Sequence, residues 1–150
     1  MKSIFDQPAY DEIINRLDDL SINSQSKWGK MNVEQMLKHC QKPIKLAFGE
    51  EEVEKPNFIM KLMIRLMKPT LYNDKPWKKG LPTAKSFVIK DDHNFEAENT
   101  RLKQLVKRIH ESESYFEPSK THPIFGEMKS WMWGQSVYKH LDHHLKQFGV

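Results

Sequence analysis

Three histidines near the C-terminal end of this 150-residue chain have the type and spacing that could do chemistry. Residues 126–149, GEMKSWMWGQSVYKHLDHHLKQFG, hold His140, His143 and His144 of the seven histidines in the chain. Wound as a helix at about 100° per residue, Trp133, Val137, Tyr138, Leu141, Leu145 and Phe148 share one arc. Lys139, Asp142, His143, Lys146 and Gln147 fall on or near the opposite arc. His140 and His144 land beside Trp133, at the edge of the apolar arc. Residues four apart on a helix have Cβ atoms roughly 5–6 Å apart and point the same way. Two imidazoles so placed can share one metal ion at Zn–N distances of about 2.0–2.1 Å. His143 points toward the polar side, so His140 and His144 are the inward pair and His143 a surface residue or a support for the ligands. A second reading stays open, because an isolated HxxxH is a weak motif. Both rings can be half-buried structural residues hydrogen-bonded to carbonyls or carboxylates.

A third ligand has to come from another element, and the stretch after Asn32 supplies a histidine in a comparable position. Asn32 with Gln35 three residues on has the form of a capping box, which starts a helix there. Val33, Met36, Leu37, Cys40, Ile44, Ala47 and Phe48 make its core face, and Gly49 ends it. His39 lies at the flank of that face, as His140 and His144 do on the last helix. Pro43 predicts a kink about one turn beyond His39. Cys40 sits near the centre of the face and reads as a small buried hydrophobe.

The remaining elements follow from the same periodicity. Asp6 can cap a first helix with Pro8 in its opening turn, and Tyr10, Ile13, Ile14, Leu17 and Leu20 give it one apolar face. Residues 21–30 read as a polar loop anchored by Trp28. Residues 50–56 read as an acidic linker. Residues 56–67, PNFIMKLMIRLM, form a short apolar helix with a narrow cationic stripe of Lys61, Arg65 and Lys68. That helix suits packing on the other helices or a contact between two copies of the chain, as in a homodimer. Residues 68–92 are rich in loops, with one extended segment at residues 86–90. Asp92 or Asn94 caps a further helix whose core face is Phe95, Leu102, Leu105, Val106 and Ile109, with His110 off that face. Residues 111–120 read as a polar linker, and His122-Pro123 favours an extended approach to the final helix, which is expected to begin at Gly126.

Length and composition bound the class. The chain is long enough for one domain, residues 1–150, with a real core. It is 38% hydrophobic and 29% charged with a net charge of +4, which is the balance of a globular protein. The lysines are spread rather than blocked, so the sequence does not point to nucleic acid. No apolar run is long enough to span a membrane. One cysteine excludes an intrachain disulfide, and the N-terminal residues lack the apolar core of a signal peptide. The expectation is a cytoplasmic, soluble, all-α protein. Four amphipathic helices with a fifth short one in the central crossover fit a four-helix bundle, in which metal sites are built from facing helices.

Two stretches carry a family resemblance. Trp28-Gly29-Lys30-Met31 followed by Gln35-Met36-Leu37-Lys38-His39-Cys40 resembles the second-helix motif of a DinB-like (YfiT-like) branch of helical proteins. His122-Pro123-Ile124-Phe125-Gly126 and residues 139–149, KHLDHHLKQFG, resemble that branch's C-terminal motif. The resemblance spans essentially the whole chain. It implies an up-down-down-up four-helix bundle with a divalent metal held by three histidines, one from the second helix and two from an HxxxH on the fourth. Carried over by motif, these are His39, His140 and His144. Related members include S-transferases and isomerases that use low-molecular-weight thiols. A dication that activates water or a thiolate would serve hydrolysis or thiol transfer, so the expectation is a metal-dependent hydrolase or thiol S-transferase acting on a small molecule. Zinc and nickel both suit three imidazoles. Trp133, Tyr138 and His143 are candidates to line the cavity or support the ligands. No general base is assignable, because Glu34 and Gln35 face away from the core. The alternative is a non-catalytic helical bundle whose histidines hold a structural or adventitious metal.

Overall fold

A computed structural model of the chain describes residues 1–54, 57–81 and 83–150, without the side chains of residues 60, 61 and 65. The end of the acidic linker and the start of the short helix at Pro56, the loop residue Pro82, and the cationic stripe at Lys61 and Arg65 lie outside the described residues. The chain is mostly helical, with five α-helices and one small two-stranded sheet: α1 (Gln7–Asp18), α2 (Val33–Ala47), α3 (Phe58–Met67), α4 (Phe95–His110), β1 (Ser119–His122), β2 (Gly126–Lys129) and α5 (Ser130–Phe148).

The helix starts follow local chemistry. Asn32 Oδ1 accepts the Gln35 amide at 2.8 Å and Gln35 Oε1 accepts the Asn32 amide at 3.2 Å, so the expected capping box closes the first turn of α2. Asn94, rather than Asp92, caps α4 by accepting the Ala97 amide at 2.9 Å. Asp6 occupies the cap position of α1, but its carboxylate turns back to the Ser3 amide. α2 runs through Pro43 as one helix. Gly149, at φ +90°, closes the end of α5, where a side chain would be strained.

α1 and α2 each pack against both α4 and α5, and the core lies between these four helices. Ile13, Leu17, Met36, Leu37, Ile44, Leu102, Ile109, Leu141 and Leu145 are fully enclosed there. Each such side chain stabilises the fold by about 1.5–3 kcal/mol relative to exposure. Polar contacts fix which ends meet. Arg16, near the end of α1, reaches Asp142 at 2.9 Å and the Val150 carbonyl at 2.9 Å, beside the end of α5. The Ile4 amide bonds the Gly134 carbonyl at the opposite ends of the same two helices. Asn99, early in α4, donates to the Leu17 carbonyl, whereas His110 at its end meets the Ile4 carbonyl and Gln7. Gln41 of α2 donates to buried Glu98 of α4 at 2.6 Å, and Arg108 near the end of α4 reaches Glu50 just past α2.

The final segment departs from a purely helical reading. Residues 119–122 and 126–129 pair as an antiparallel hairpin, Ser119 opposite Lys129 and His122 opposite Gly126. α5 therefore begins at Ser130, four residues later than the periodicity suggests. The turn explains the difference. Gly126 takes φ +71°, a conformation that ends a helix rather than starting one. His122 Nδ1 accepts the Ile124 and Phe125 amides at 3.0 and 3.3 Å, so the turn is held by a side chain that helical spacing does not reveal. Of the extended segment expected at residues 86–90, Ser86 and Phe87 lie in a 3-10 turn, Lys85–Phe87, while Val88 is extended, and among the described residues no strand pairs with it. α3 packs against the 3-10 turn that follows it, Lys68–Leu71, and Phe58, Ile59, Leu62, Met63 and Leu66 are all exposed. Among the described residues no helix is long and apolar enough to cross a membrane.

Burial, reinforced by the charge of Lys68, pushes His122 down to about 4. Its ring must stay neutral to accept both turn amides. As pH falls below the ordinary histidine value of about 6.5, the unfolded chain takes up this proton before the folded chain does. Stability should therefore drop between about pH 6.5 and pH 4. The fall in urea midpoint from pH 7 to pH 4.5 should be smaller in a His122→Asn variant, whose amide oxygen can accept the same hydrogen bonds without titrating, and the remainder belongs to the other buried histidines, His39, His140 and His144.

Candidate metal centre

The packing of α2 against α5 brings His39, His140 and His144 together. One ring nitrogen from each lies within 4.8 Å of the other two. His39 and His144 are buried and His140 is half-buried. His39 Nε2 stands 3.1 Å from His140 Nε2. Two imidazoles on one tetrahedral zinc, with Zn–N of about 2.0–2.1 Å, place their nitrogens about 3.3 Å apart. The observed spacing fits a shared ion closely.

The orientation of the rings follows from two backbone carbonyls, which can only accept. His39 Nδ1 lies 2.9 Å from the Phe87 carbonyl, so the proton sits on Nδ1 and the lone pair on Nε2. The Trp28 carbonyl accepts the amide nitrogen of Gln147 at 2.6 Å, which turns the Gln147 oxygen toward His144 Nδ1 at 2.8 Å. That oxygen also only accepts, so His144 too carries its proton on Nδ1 and directs the Nε2 lone pair inward. Metal-bound histidines generally donate their outer N–H to such a partner, which fixes tautomer and aim. The turn that carries Phe87 and the loop that carries Trp28 thus do the same work on opposite sides of the site.

Electrostatics keeps the set ready to ligate. Burial, then the neighbouring His39, holds His144 down to about 3. Burial, then His144 and His39, holds His140 well below the ordinary histidine value. Burial lowers His39 as well, opposed in part by its bond to Phe87. All three rings are neutral at physiological pH, which is the form a metal requires. His39 Nε2 carries a lone pair, so at 3.1 Å either the Nε2–H of neutral His140 donates to it or a cation lies between the two nitrogens. The residues present therefore fit a metal ion, and His39, His140 and His144 could hold one.

The neighbouring residues sort clearly. His143 is half-buried and sits between the Trp28 ring at 5.9 Å and the Trp77 ring at 5.7 Å, outside the three-histidine set. Tyr138 lines a cleft on the outer side of α5 and donates to Glu12 at 3.0 Å. Trp133 lies elsewhere, in the core, against Phe116 and His122. Its partners are the hairpin and the 3-10 turn at Glu113–Phe116, which occupy the N-terminal end of α5. His110 bonds the Ile4 carbonyl and stacks on Tyr10 at 4.3 Å, which is a structural role. Cys40 is fully enclosed, and burial pushes its thiol up, so it is not available as a ligand.

Four participants are not visible as ligand supports in the sequence. Gln147 and Lys139 fall on the polar arc of the wheel, yet both are buried. The Trp28–Gly29 turn covers the first. The second is covered by the segment after α3, where Lys139 Nζ donates to the Thr70 and Asn73 carbonyls and to Asn73 Oδ1 at 2.6–2.7 Å. Trp77, on the same segment, puts its ring 5.9 Å from His140. Gly29 is required by two constraints together. Its φ is +86°, and a Cβ there would stand 2.5 Å from the Gln147 amide nitrogen. The glycine beside Trp28 was the available sequence signal for this contact.

Gly29→Ala should push the Gln147 amide away from His144 and weaken metal binding about 10–100-fold, the usual effect of losing an outer partner of a ligand. Gln147→Ala, which leaves the backbone unstrained, should weaken it to a similar degree. Competition against a chromogenic chelator reads both. Unchanged affinity in both variants would remove Gln147 from the site.

No curated protein and no solved structure matches the chain. A protein-family model described as "Protein of unknown function (DUF1569)" matches residues 2–149, and with essentially its whole length covered the chain belongs to that family.

Proposed function

We propose that this protein is a divalent-metal-dependent enzyme of the DinB-like (YfiT-like) kind, a hydrolase or a low-molecular-weight-thiol S-transferase acting on a small molecule. The observation that carries this reading is the convergence of three neutral imidazoles, two of them with their tautomer fixed by a backbone carbonyl or an amide. Zinc or nickel suits such a set. When bound by three histidines, a divalent cation keeps a position open and lowers the pKa of a water or thiol placed there. Phe87 and Gln147 hold two of the rings rigidly in place. His140, half-buried, marks the side from which a small molecule could approach. Cys40, a lone buried thiol, supports a reducing cytoplasmic setting.

The up-down-down-up four-helix topology belongs to the same reading. Like ends of α1 and α5 meet through Arg16 and Ile4, and like ends of α2 and α4 through Arg108. Opposite ends of α1 and α4 meet through Asn99 and His110. A homodimer is a further part of the proposal, supported by the exposed apolar face of α3. Light scattering should give twice 17.8 kDa for the wild type and 17.8 kDa for a Leu62→Asp/Leu66→Asp variant. A wild-type monomer would rule the dimer out.

A non-catalytic bundle with a structural or adventitious metal is the competing reading, favoured by the lack of an assignable general base. Elemental analysis separates the two. Near-stoichiometric metal should be lost in His39→Ala, His140→Ala and His144→Ala and kept in His143→Ala. Chelation should leave the helices folded if the site is open and catalytic, and melt them if the metal is structural. Absence of metal after incubation with zinc or nickel would sink the enzyme reading.

A further inference from the structure

Along α1 and α5, lined by His143 and separated from the three-histidine set by Trp77, lies a cleft of about 620 Å³. Its volume lies within the range of small-molecule sites. Trp77 forms part of its wall and also faces His140, so the cleft and the histidine cluster share one side chain. Lys139, the residue before His140, lines the same cleft and ties down the segment carrying Trp77. The apolar residues that line it are Met1, Trp28, Pro76, Trp77 and Val150.

The charge in the cleft is unbalanced. Six cationic side chains line it against three carboxylates, and every carboxylate already has a partner. Glu12 takes Lys2 and Arg16, Asp142 takes Arg16 and Lys146, and Asp74 takes the N-terminal ammonium. Lys75 and Lys79 have no carboxylate within ion-pair distance among the described residues. Lys79 instead rests its ammonium 4.5 Å from the centre of the Trp28 ring. A cation over an indole at the mouth of an apolar cleft presents a positive charge beside a flat hydrophobic surface. An anion that is also flat and apolar satisfies both at once. A cationic ligand would meet only partnered carboxylates, and a neutral one would leave the lysines uncompensated.

We propose that this cleft is the substrate pocket of the candidate metal centre, resting on the reading of that centre given above, and that it takes a small organic anion with a flat apolar body. The anionic group meets Lys79 and Lys75, the body lies along Trp28 and Trp77, and the far end points past Trp77 toward His140. Lys79 and Lys75 set specificity, and they take no part in holding the metal.

Isothermal titration of the full chain with 2-naphthoate, 2-naphthamide and 2-naphthylmethylammonium tests this. The anion should bind at least about tenfold more tightly than either analogue, with affinity falling as salt is raised. A Lys75→Glu/Lys79→Glu variant should lose about tenfold or more in naphthoate affinity, whereas Lys107→Glu on the exposed face of α4 should bind as wild type does. Equal binding of the three probes, no binding of naphthoate, or full affinity in the double variant would overturn the proposal. The same titration in His39→Ala keeps the two readings apart. Naphthoate binding retained there, whatever the metal content, supports the pocket on its own. Metal bound normally in a wild type that ignores naphthoate would refute the pocket and leave the metal centre standing.

Discussion

Neutral imidazole nitrogens cannot be crowded together without something between them, and the arrangement of this protein turns on that constraint. His39 and His140 present nitrogens 3.1 Å apart inside a largely buried pocket. Either the Nε2–H of neutral His140 or a cation can fill that gap, and adding a second proton to a ring is opposed by burial and by its neighbours. Turning a ring away is opposed for His39 and His144 by outer hydrogen bonds to groups that can only accept. Helix packing alone would leave the rings free to rotate, and the rigidity comes from outside the helices.

That rigidity is supplied by irregular segments. Phe87 sits on the second of two 3-10 turns, Lys68–Leu71 and Lys85–Phe87, in the long connection between α3 and α4, and Trp28 on the loop between α1 and α2. Each contributes a backbone carbonyl, whose position depends on chain path rather than on side-chain identity. The segment after α3 is fastened by the ammonium of Lys139, buried among three oxygens. A charge is costly to bury unless fully hydrogen-bonded. Its enclosure therefore commits the segment to one position over α5 and brings Trp77 against His140 and His143. The helices set which histidines meet, and the connections set how they point and what lies beside them.

Much of this was legible in the sequence, and the reason is periodicity. His39, His140 and His144 lie at the edges of apolar arcs, and an arc edge is where a helix can present a polar group inward. The Asn32 capping box was readable because its two partners are local. The hairpin at residues 119–129 was not, because its strands are four residues long and its turn is stabilised by His122, whose spacing also suits a helix approach. Gln147 and Lys139 were misplaced on the solvent side for a different reason. A helical wheel knows only the other helices, and both residues are covered by loops. For Trp133 the arc allows both cavity lining and core packing, and the structure places its ring against Phe116 and His122, because α5 is long enough that one arc serves two neighbourhoods. The apolar segment at α3 was recognised as a helix, while the exposure of its face depends on tertiary placement.

The contact between Gly29 and Gln147 joins positions 118 residues apart with no space left over. A side chain at 29 is excluded while a glutamine occupies 147, and the glutamine is anchored by the carbonyl next to that glycine. The two sites therefore cannot drift independently. Shortening 147 removes the clash at 29 but leaves the backbone strain of φ +86°, and shortening 147 first is sterically free but releases His144. The order of substitutions is constrained, and a path through this region of sequence space is epistatic at its first step.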